Sequence, residues 1–230
     1  NCAAYTAVDK AETEVDKAFE INATGAKNLA IVCDKFDTIL IQVSTDFVFD
    51  GEKKEPYTET DVAKPISVYG ASKLKGEVEI QKINKKYFII RTSWLYSEHG
   101  TNFMKTMLKL AETRDEISVV SDQIGTPTYA GDLAEVILKI VTSKSDNFGV
   151  YHYSNEGVAS WYEFAKAIFE ASNIEIKLNP IKTSAYPTPA KRPVYSVMDK
   201  TKIKNKLKVE TLNWSESLLI ALKANVLRNK

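Results

Sequence analysis

Two short, unbroken runs of β-branched and apolar residues, Ile39-Leu-Ile-Gln-Val-Ser44 and Tyr87-Phe-Ile-Ile-Arg91, limit the fold more than any other feature of this chain. A strand that is apolar at nearly every position has both faces covered. That is the condition of a strand inside a parallel sheet with helices on either side. The sequence between and around the runs supplies those helices. Val8 to Phe36 follows a helical pattern, with Val15, Phe19, Ile21, Leu29 and Val32 among its apolar positions. A helix starting near Val68 carries Leu74, Val78 and Ile83, and Asn102–Thr113 and Ala130–Val141 read as two more. Ile117–Val120 is a third strand, Asp50-Gly51 and Gly125-Thr-Pro-Thr128 are turns, and a polar, proline-containing loop leads to Ser67. Helix and strand alternate, which is the pattern of an α/β protein with a mainly parallel sheet.

After residue 142 the texture changes. Gly149–Tyr153 is expected as a short strand, Ser160–Ala171 as a helix capped by Ser160, and Ile174–Pro180 as a strand. Ser184–Pro193 holds three prolines and reads as irregular loop, and Trp214–Leu227 as a final amphipathic helix. The expected organisation is a first domain over 1–142 and a smaller α/β lobe over 143–230, interleaved with it.

Charge and composition narrow the functional classes. Thirty-one basic residues balance thirty acidic ones, which argues against nucleic acid or an anionic membrane as partner. No apolar run approaches the roughly 18 residues that span a bilayer. Cys2 and Cys33 are the only cysteines, a usage that suits free thiols in a reducing compartment such as the cytoplasm. His99 and His152 lie far apart in sequence, so a zinc site or a Ser-His-Asp triad is not expected, and no metal site is assigned.

The chemistry concentrates in Tyr69-Gly-Ala-Ser-Lys73 and in Ser44-Thr45-Asp46 upstream. Residues four apart on a helix share a face, so Tyr69 and Lys73 point the same way. An ammonium beside a phenol favours the phenolate and lowers the tyrosine pKa. The hydroxyl of Thr45, just beyond a parallel strand, stands where open α/β sheets bind ligands. Taken alone, a tyrosine at a helix start more often packs than reacts. The strand, loop and helix around it are what favour chemistry.

Ser44-Thr-Asp-Phe-Val-Phe-Asp-Gly51, Tyr69-Gly-Ala-Ser-Lys73, Arg91-Thr-Ser-Trp-Leu-Tyr96 and Asp122-Gln-Ile-Gly-Thr-Pro-Thr128 occur in order. With Asn1-Cys-Ala-Ala-Tyr5 and Lys191-Arg-Pro193 followed by Ser196, they resemble the dTDP-4-dehydrorhamnose reductase family over nearly the whole chain. That family belongs to the extended short-chain dehydrogenases/reductases. The resemblance implies a Rossmann-like dinucleotide-binding domain over 1–142 and a substrate lobe over 143–230. It implies NADPH or NADH as cofactor, a dTDP-sugar as substrate, and reduction of a C4 ketone to complete dTDP-L-rhamnose, a precursor of cell-surface polysaccharide. Tyr69 would be the proton donor, Lys73 its electrostatic tuner and nicotinamide-ribose ligand, and Thr45 the hydroxyl that holds the same oxygen. Ala3, Ala4, Tyr5 and Ser44 match the cofactor side. Asp46, Trp94, Asn102, Phe103 and Arg192 match the substrate side, Arg192 as a fork for the diphosphate. Gly125, Pro127 and Thr128 would shape a turn near the nucleotide. Some members of the family pair as homodimers with the help of a divalent cation such as Mg, and no ligand set for one maps onto this sequence.

Two departures qualify the match. The nine glycines stand at 25, 51, 70, 76, 100, 125, 131, 149 and 157, so neither G-x-G nor G-x-x-G occurs. The family's glycine-rich turn at a helix amino end, which holds the cofactor pyrophosphate, is therefore not in this sequence. The simplest account is that about sixty residues, covering the first three βα units of such a sheet, are missing from it. This chain alone is then expected to bind a nicotinamide dinucleotide poorly. The second departure is Phe47, where the family commonly has tyrosine. An epimerase or dehydratase of the same fold, another deoxysugar reductase, or a non-catalytic regulatory subunit such as that of methionine adenosyltransferase are the alternatives. The single Asp46 followed by Phe47, rather than a second acid, favours a reductase.

Overall fold

The computed structural model describes residues 1–228. In chain order its main elements begin with α1 (Val8–Ala11), α2 (Val15–Phe19), α3 (Gly25–Lys35), β1 (Leu40–Thr45), α4 (Val68–Ile83), β2 (Tyr87–Thr92) and β3 (Leu95–Tyr96). Next come α5 (Phe103–Ala111), β4 (Glu116–Val120), β5 (Ile124–Gly125), β6 (Thr128–Tyr129), α6 (Ala130–Ser143), β7 (Gly149–His152) and β8 (Ala159–Ser160). The last are α7 (Trp161–Ala171), β9 (Lys177–Ile181), α8 (Thr201–Leu207) and α9 (Trp214–Arg228). The expected strands and helices are present. The expected helix over Val8–Phe36 is broken into three, with a π-helical turn at Glu20–Thr24 between α2 and α3.

The chain forms two compact units, one of 1–92, 139–153 and 188–209, the other of 93–138, 154–187 and 210–230. The division therefore differs from a cut near residue 142. The first changeover already falls at Thr92/Ser93, because β2 ends there and the next strand pairs elsewhere.

The first unit is built on a three-stranded, all-parallel sheet of order β1-β2-β7. Leu40 is opposite Tyr87 and Thr45 opposite Thr92, and Arg91 is opposite His152. Phe88, Ile89 and Ile90 are almost fully buried, as the continuous apolar run requires. Asn1 runs beside β1: its backbone nitrogen donates to the Ile41 carbonyl at 2.6 Å and its carbonyl accepts from Val43. Ala26, Ala30 and Ile80 pack α3 and α4 with Leu40 and Ile89.

The second unit has short pairings, β3 with β6, β4 with β9, and β5 antiparallel to β8. Its core gathers Tyr96, Met104, Ile117, Phe164, Ile168 and Leu218. Ser160 caps α7 as expected, and Glu163 completes a reciprocal capping box. Among the described residues, no helix is long and apolar enough to cross a membrane.

Candidate active site

The carboxyl end of β1 and the first two turns of α4 meet because of a glycine. A Cβ added to Gly70 would lie 2.1 Å from the Phe47 carbonyl oxygen, so only glycine lets the helix come this close to the Asp46–Val48 turn. Ser67 caps α4 by accepting from Gly70 N at 3.2 Å, and Glu12 accepts from Val68 N at 2.9 Å. Gly76 permits a similar close approach further along α4, where its Cβ would meet the Asn22 carbonyl at 2.2 Å.

Tyr69, Lys73 and Glu77 then follow at helical spacing on one side of α4. Tyr69 is half-buried, with the Phe47 ring packed edge-on against it at 5.6 Å. The phenol faces the Thr45 side chain. Burial, reinforced by the Asp46 charge, pushes its pKa up to about 12, against a smaller opposing effect of Thr45. This corrects the expectation that Lys73 lowers the phenol's pKa. Lys73 is 5% exposed and donates from Nζ to the Val43 carbonyl at 2.8 Å. Burial depresses its own pKa to about 8, partly offset by Glu77.

Thr45 donates from Oγ1 to Asp46 Oδ1 at 3.0 Å and accepts from Phe47 N at 3.2 Å. Asp46 is 1% exposed, buried beside Thr45. Burial raises its pKa to about 6, against the smaller opposing effects of the nearby Ser196 and Thr45 hydroxyls.

Ser44 is buried. Its hydroxyl donates to Glu77 Oε1 at 2.5 Å, inside a buried chain of groups. Arg91 donates from Nε and Nη2 to the same carboxylate, Nη2 at 2.7 Å, and approaches His152 Nε2 at 3.4 Å. His152 Nδ1 lies 3.1 Å from the Tyr57 carbonyl. Burial, then Arg91, hold the imidazole neutral and its pKa down to about 3. Sequence reasoning assigned no role to Glu77 or His152. The spacing of Glu77, four residues after Lys73, was the available signal.

Of the residues expected to face a cofactor, Ala3 is exposed and Ala4 half-buried, while Tyr5 is buried. Asn22, also unassigned, binds Tyr5 through both backbone groups, accepting from N at 2.8 Å and donating to O at 3.0 Å. It also reaches Ser72 on α4 at 2.9 Å.

Arg192 forms a two-pronged pair with Asp9, at 3.1 and 2.8 Å, and also donates to the Ala190 carbonyl. Its fork is engaged within the protein, and the Asp9 carboxyl is held below its usual range chiefly by that hydrogen bond.

In the second unit, Trp94 stacks on Trp161 at 3.6 Å between centroids, and Phe103 lies 4.7 Å from Trp161. Asn102 is a helix cap: Oδ1 accepts from Lys105 N, and Nδ2 donates to the Ser97 and His99 carbonyls. That accounts for both ends of its amide without a substrate. Thr128 pairs in β6, and Thr126 donates to the Gly157 carbonyl, which fixes the expected turn.

A parallel sheet with threonine at a strand end, and tyrosine and lysine one turn apart on the next helix, defines a carbonyl oxidoreductase of the short-chain dehydrogenase/reductase class. The family model described as RmlD substrate binding domain matches residues 1–226. A dTDP-4-dehydrorhamnose reductase of Aggregatibacter actinomycetemcomitans is 44% identical over 229 residues, 95% of this chain and 78% of that protein. The crystal structure of a dTDP-4-dehydrorhamnose reductase from Clostridium acetobutylicum superposes with a TM-score of 0.95 at 46% identity, covering 99% of this chain and 80% of that one. The Bacillus anthracis reductase, solved in complex with NADP, gives 0.94 at 43% identity, covering 97% and 79%. The chain belongs to the dTDP-4-dehydrorhamnose reductase family.

Proposed function

We propose that the chain reduces the C4 ketone of dTDP-4-dehydro-L-rhamnose to the alcohol of dTDP-L-rhamnose, with NADPH or NADH as hydride source. The observation that carries this reading is the meeting of Thr45 and Tyr69 at the end of β1, with Lys73 on the same face of α4. A bound dinucleotide supplies the hydride that adds to C4. The protein's own residues do the rest. Tyr69 gives its phenolic proton to the C4 oxygen, and Thr45 holds that oxygen through its hydroxyl. A phenol whose pKa stands near 12 is fully protonated at neutral pH, the form a reductase needs. The developing alkoxide is a far stronger base than phenolate, so the proton still moves downhill.

The residues fit the nicotinamide-ribose end of the cofactor. Lys73 commits one of its three N–H groups to Val43, and the small Ala3 and Ala4 leave the backbone beside β1 open to a flat group. Trp94 and Phe103 are assigned to the sugar through their half-buried aromatic faces. We assign the protein to the cytoplasm, which its free thiols Cys2 and Cys33 favour, and carry a homodimer as the assembly to test by size-exclusion chromatography with light scattering.

The test of the reaction is the loss of nicotinamide absorbance on mixing protein, reduced cofactor and dTDP-4-dehydro-L-rhamnose. Tyr69→Phe is expected to lower kcat by about 10²–10⁴-fold while the circular dichroism spectrum is kept. Turnover by Tyr69→Phe equal to that of the unsubstituted chain would defeat the assignment.

A further inference from the structure

Asp46 carries a buried oxygen that the reaction as described leaves unused. Oδ1 accepts from Thr45, whereas Oδ2 is buried and makes no well-formed hydrogen bond, although the Ser196 hydroxyl lies near enough to favour the charged form. A carboxylate oxygen removed from water and left unpaired is costly, so the site favours the neutral acid. Thr45 meanwhile has one proton, and in this structure that proton points at Asp46, not at the position of a ketone oxygen. Its oxygen also accepts from Phe47 N, which fixes the hydroxyl from the other side. The threonine can hold a substrate oxygen only when its proton is released from the carboxylate.

We propose that Asp46 is a positioning residue that sets the direction of the Thr45 hydroxyl. As a neutral acid it donates its own O–H to Thr45 Oγ1, and the threonine proton turns to the ketone oxygen. As a carboxylate it captures that proton and withdraws the donor. This rests on the reading above, in which Thr45 and Tyr69 hold the C4 oxygen.

The surroundings are consistent with a carboxyl that titrates near neutrality. Its pKa lies at about 6, raised by burial. Ser196 reaches it from the segment beyond the proline-rich loop, and the titratable group facing it from α4 is Tyr69. The nearby cations are committed elsewhere, Lys73 to the Val43 carbonyl and Arg91 to Glu77. The expected sign follows. The competent form is present below the Asp46 pKa and is lost as pH rises through it. Closing the site over a substrate removes further water and moves that point upward.

Two measurements test this. In the reductase assay, kcat/KM should fall about tenfold per pH unit on the alkaline side of the Asp46 titration. Asp46→Asn should abolish that limb, because an amide N–H donates to Thr45 at every pH, though at a lower plateau than the neutral acid gives. Asp46→Ala should lose both the limb and most of the rate. An alkaline limb that persists unchanged in Asp46→Asn overturns the proposal. Independently of turnover, the Asp46 carboxyl can be titrated by ¹³C NMR with carboxyl-labelled aspartate. Thr45→Val should raise its midpoint, since the lost hydrogen bond favoured the charged form. A midpoint indifferent to Thr45→Val defeats the coupling itself. Absence of turnover in the unsubstituted chain, with the Thr45-dependent midpoint intact, instead defeats the reductase reading and leaves the coupling standing.

Discussion

Gly70→Ala should separate Tyr69 from Thr45 without touching either side chain. The new Cβ would lie 2.1 Å from the Phe47 carbonyl oxygen and 3.1 Å from Pro65 Cβ. The first of these neighbours is backbone, so it cannot swing aside. Restoring a contact of about 3 Å requires α4 to retreat from the Asp46–Val48 turn by about 1 Å. Overpacking of this kind costs about 1–3 kcal/mol, and alanine's better helix propensity returns at most about 1 kcal/mol. The net loss is then up to about 3 kcal/mol, or a fall in Tm of up to about 12 °C for a chain of this size. The rate should suffer more than the stability. A misplacement of about 1 Å between reacting groups can cost about 10²-fold. Thermal denaturation and the nicotinamide assay read the two effects separately. Gly25→Ala is the control, because its Cβ meets nothing closer than 3.7 Å and the helix gains propensity, so Tm should hold or rise. A Gly70→Ala chain with unchanged kcat would refute the view that this glycine sets the Tyr69–Thr45 geometry, whatever its Tm.

Two further substitutions probe the buried network behind the site. Glu77→Ala strands Arg91, which is 5% exposed, and should cost about 3–5 kcal/mol in urea denaturation; a loss under about 1 kcal/mol would mean that Arg91 finds water or another partner. His152 stays neutral in the folded state to about pH 3, whereas the unfolded histidine protonates near 6.5. Its contribution is therefore full above about pH 6.5 and is lost as pH falls, by about 1 kcal/mol per unit. Asp46, with its raised pKa, acts in the opposite sense over about pH 4–6, so the informative quantity is the difference between the parent and His152→Gln. That difference should shrink steadily from pH 6.5 to 4, and a pH-independent difference would place the imidazole in contact with water.

Local patterning made the sheet legible. Phe88, Ile89 and Ile90 are each at most 1% exposed, and such a run leaves no alternative to a strand covered on both faces. Helix existence was equally readable, but continuity was not. Val8–Phe36 keeps its apolar period through a π-helical turn, because the insertion of Asn22 between the Tyr5 backbone and Ser72 depends on residues 17 and 50 positions away. α8 went unrecognised because Thr-Lys-Ile-Lys-Asn-Lys-Leu shows lysines rather than an apolar stripe, with only Ile203 and Leu207 buried. The capping role of Asn102 was legible in the sequence. An asparagine immediately before an amphipathic helix is an N-cap signal. No local signal could have shown Arg192 pairing with Asp9, 183 residues away.

Spacing fixes which helix face Tyr69 and Lys73 share, and tertiary packing fixes what each then faces. The ammonium is held by the Val43 carbonyl, and the phenol stands among Thr45, Asp46 and Phe47. The electrostatic result is a raised tyrosine pKa, the reverse of what an isolated phenol–ammonium pair gives. For a reaction that must deliver a proton, this is the useful direction. A phenolate at neutral pH would first have to be reprotonated, whereas a buried neutral phenol is a standing donor. In the reaction proposed above, Lys73 would serve through its remaining N–H groups and its charge on the product side, where a tyrosine that has just released its proton carries a negative charge. The lysine's own depressed pKa of about 8 follows from the same burial, which leaves it mostly an ammonium at neutral pH, and a nearby negative charge would favour that form further. In the proposed reaction the pair would act in sequence: the tyrosine neutral before hydride transfer, and the lysine offsetting the phenolate after it.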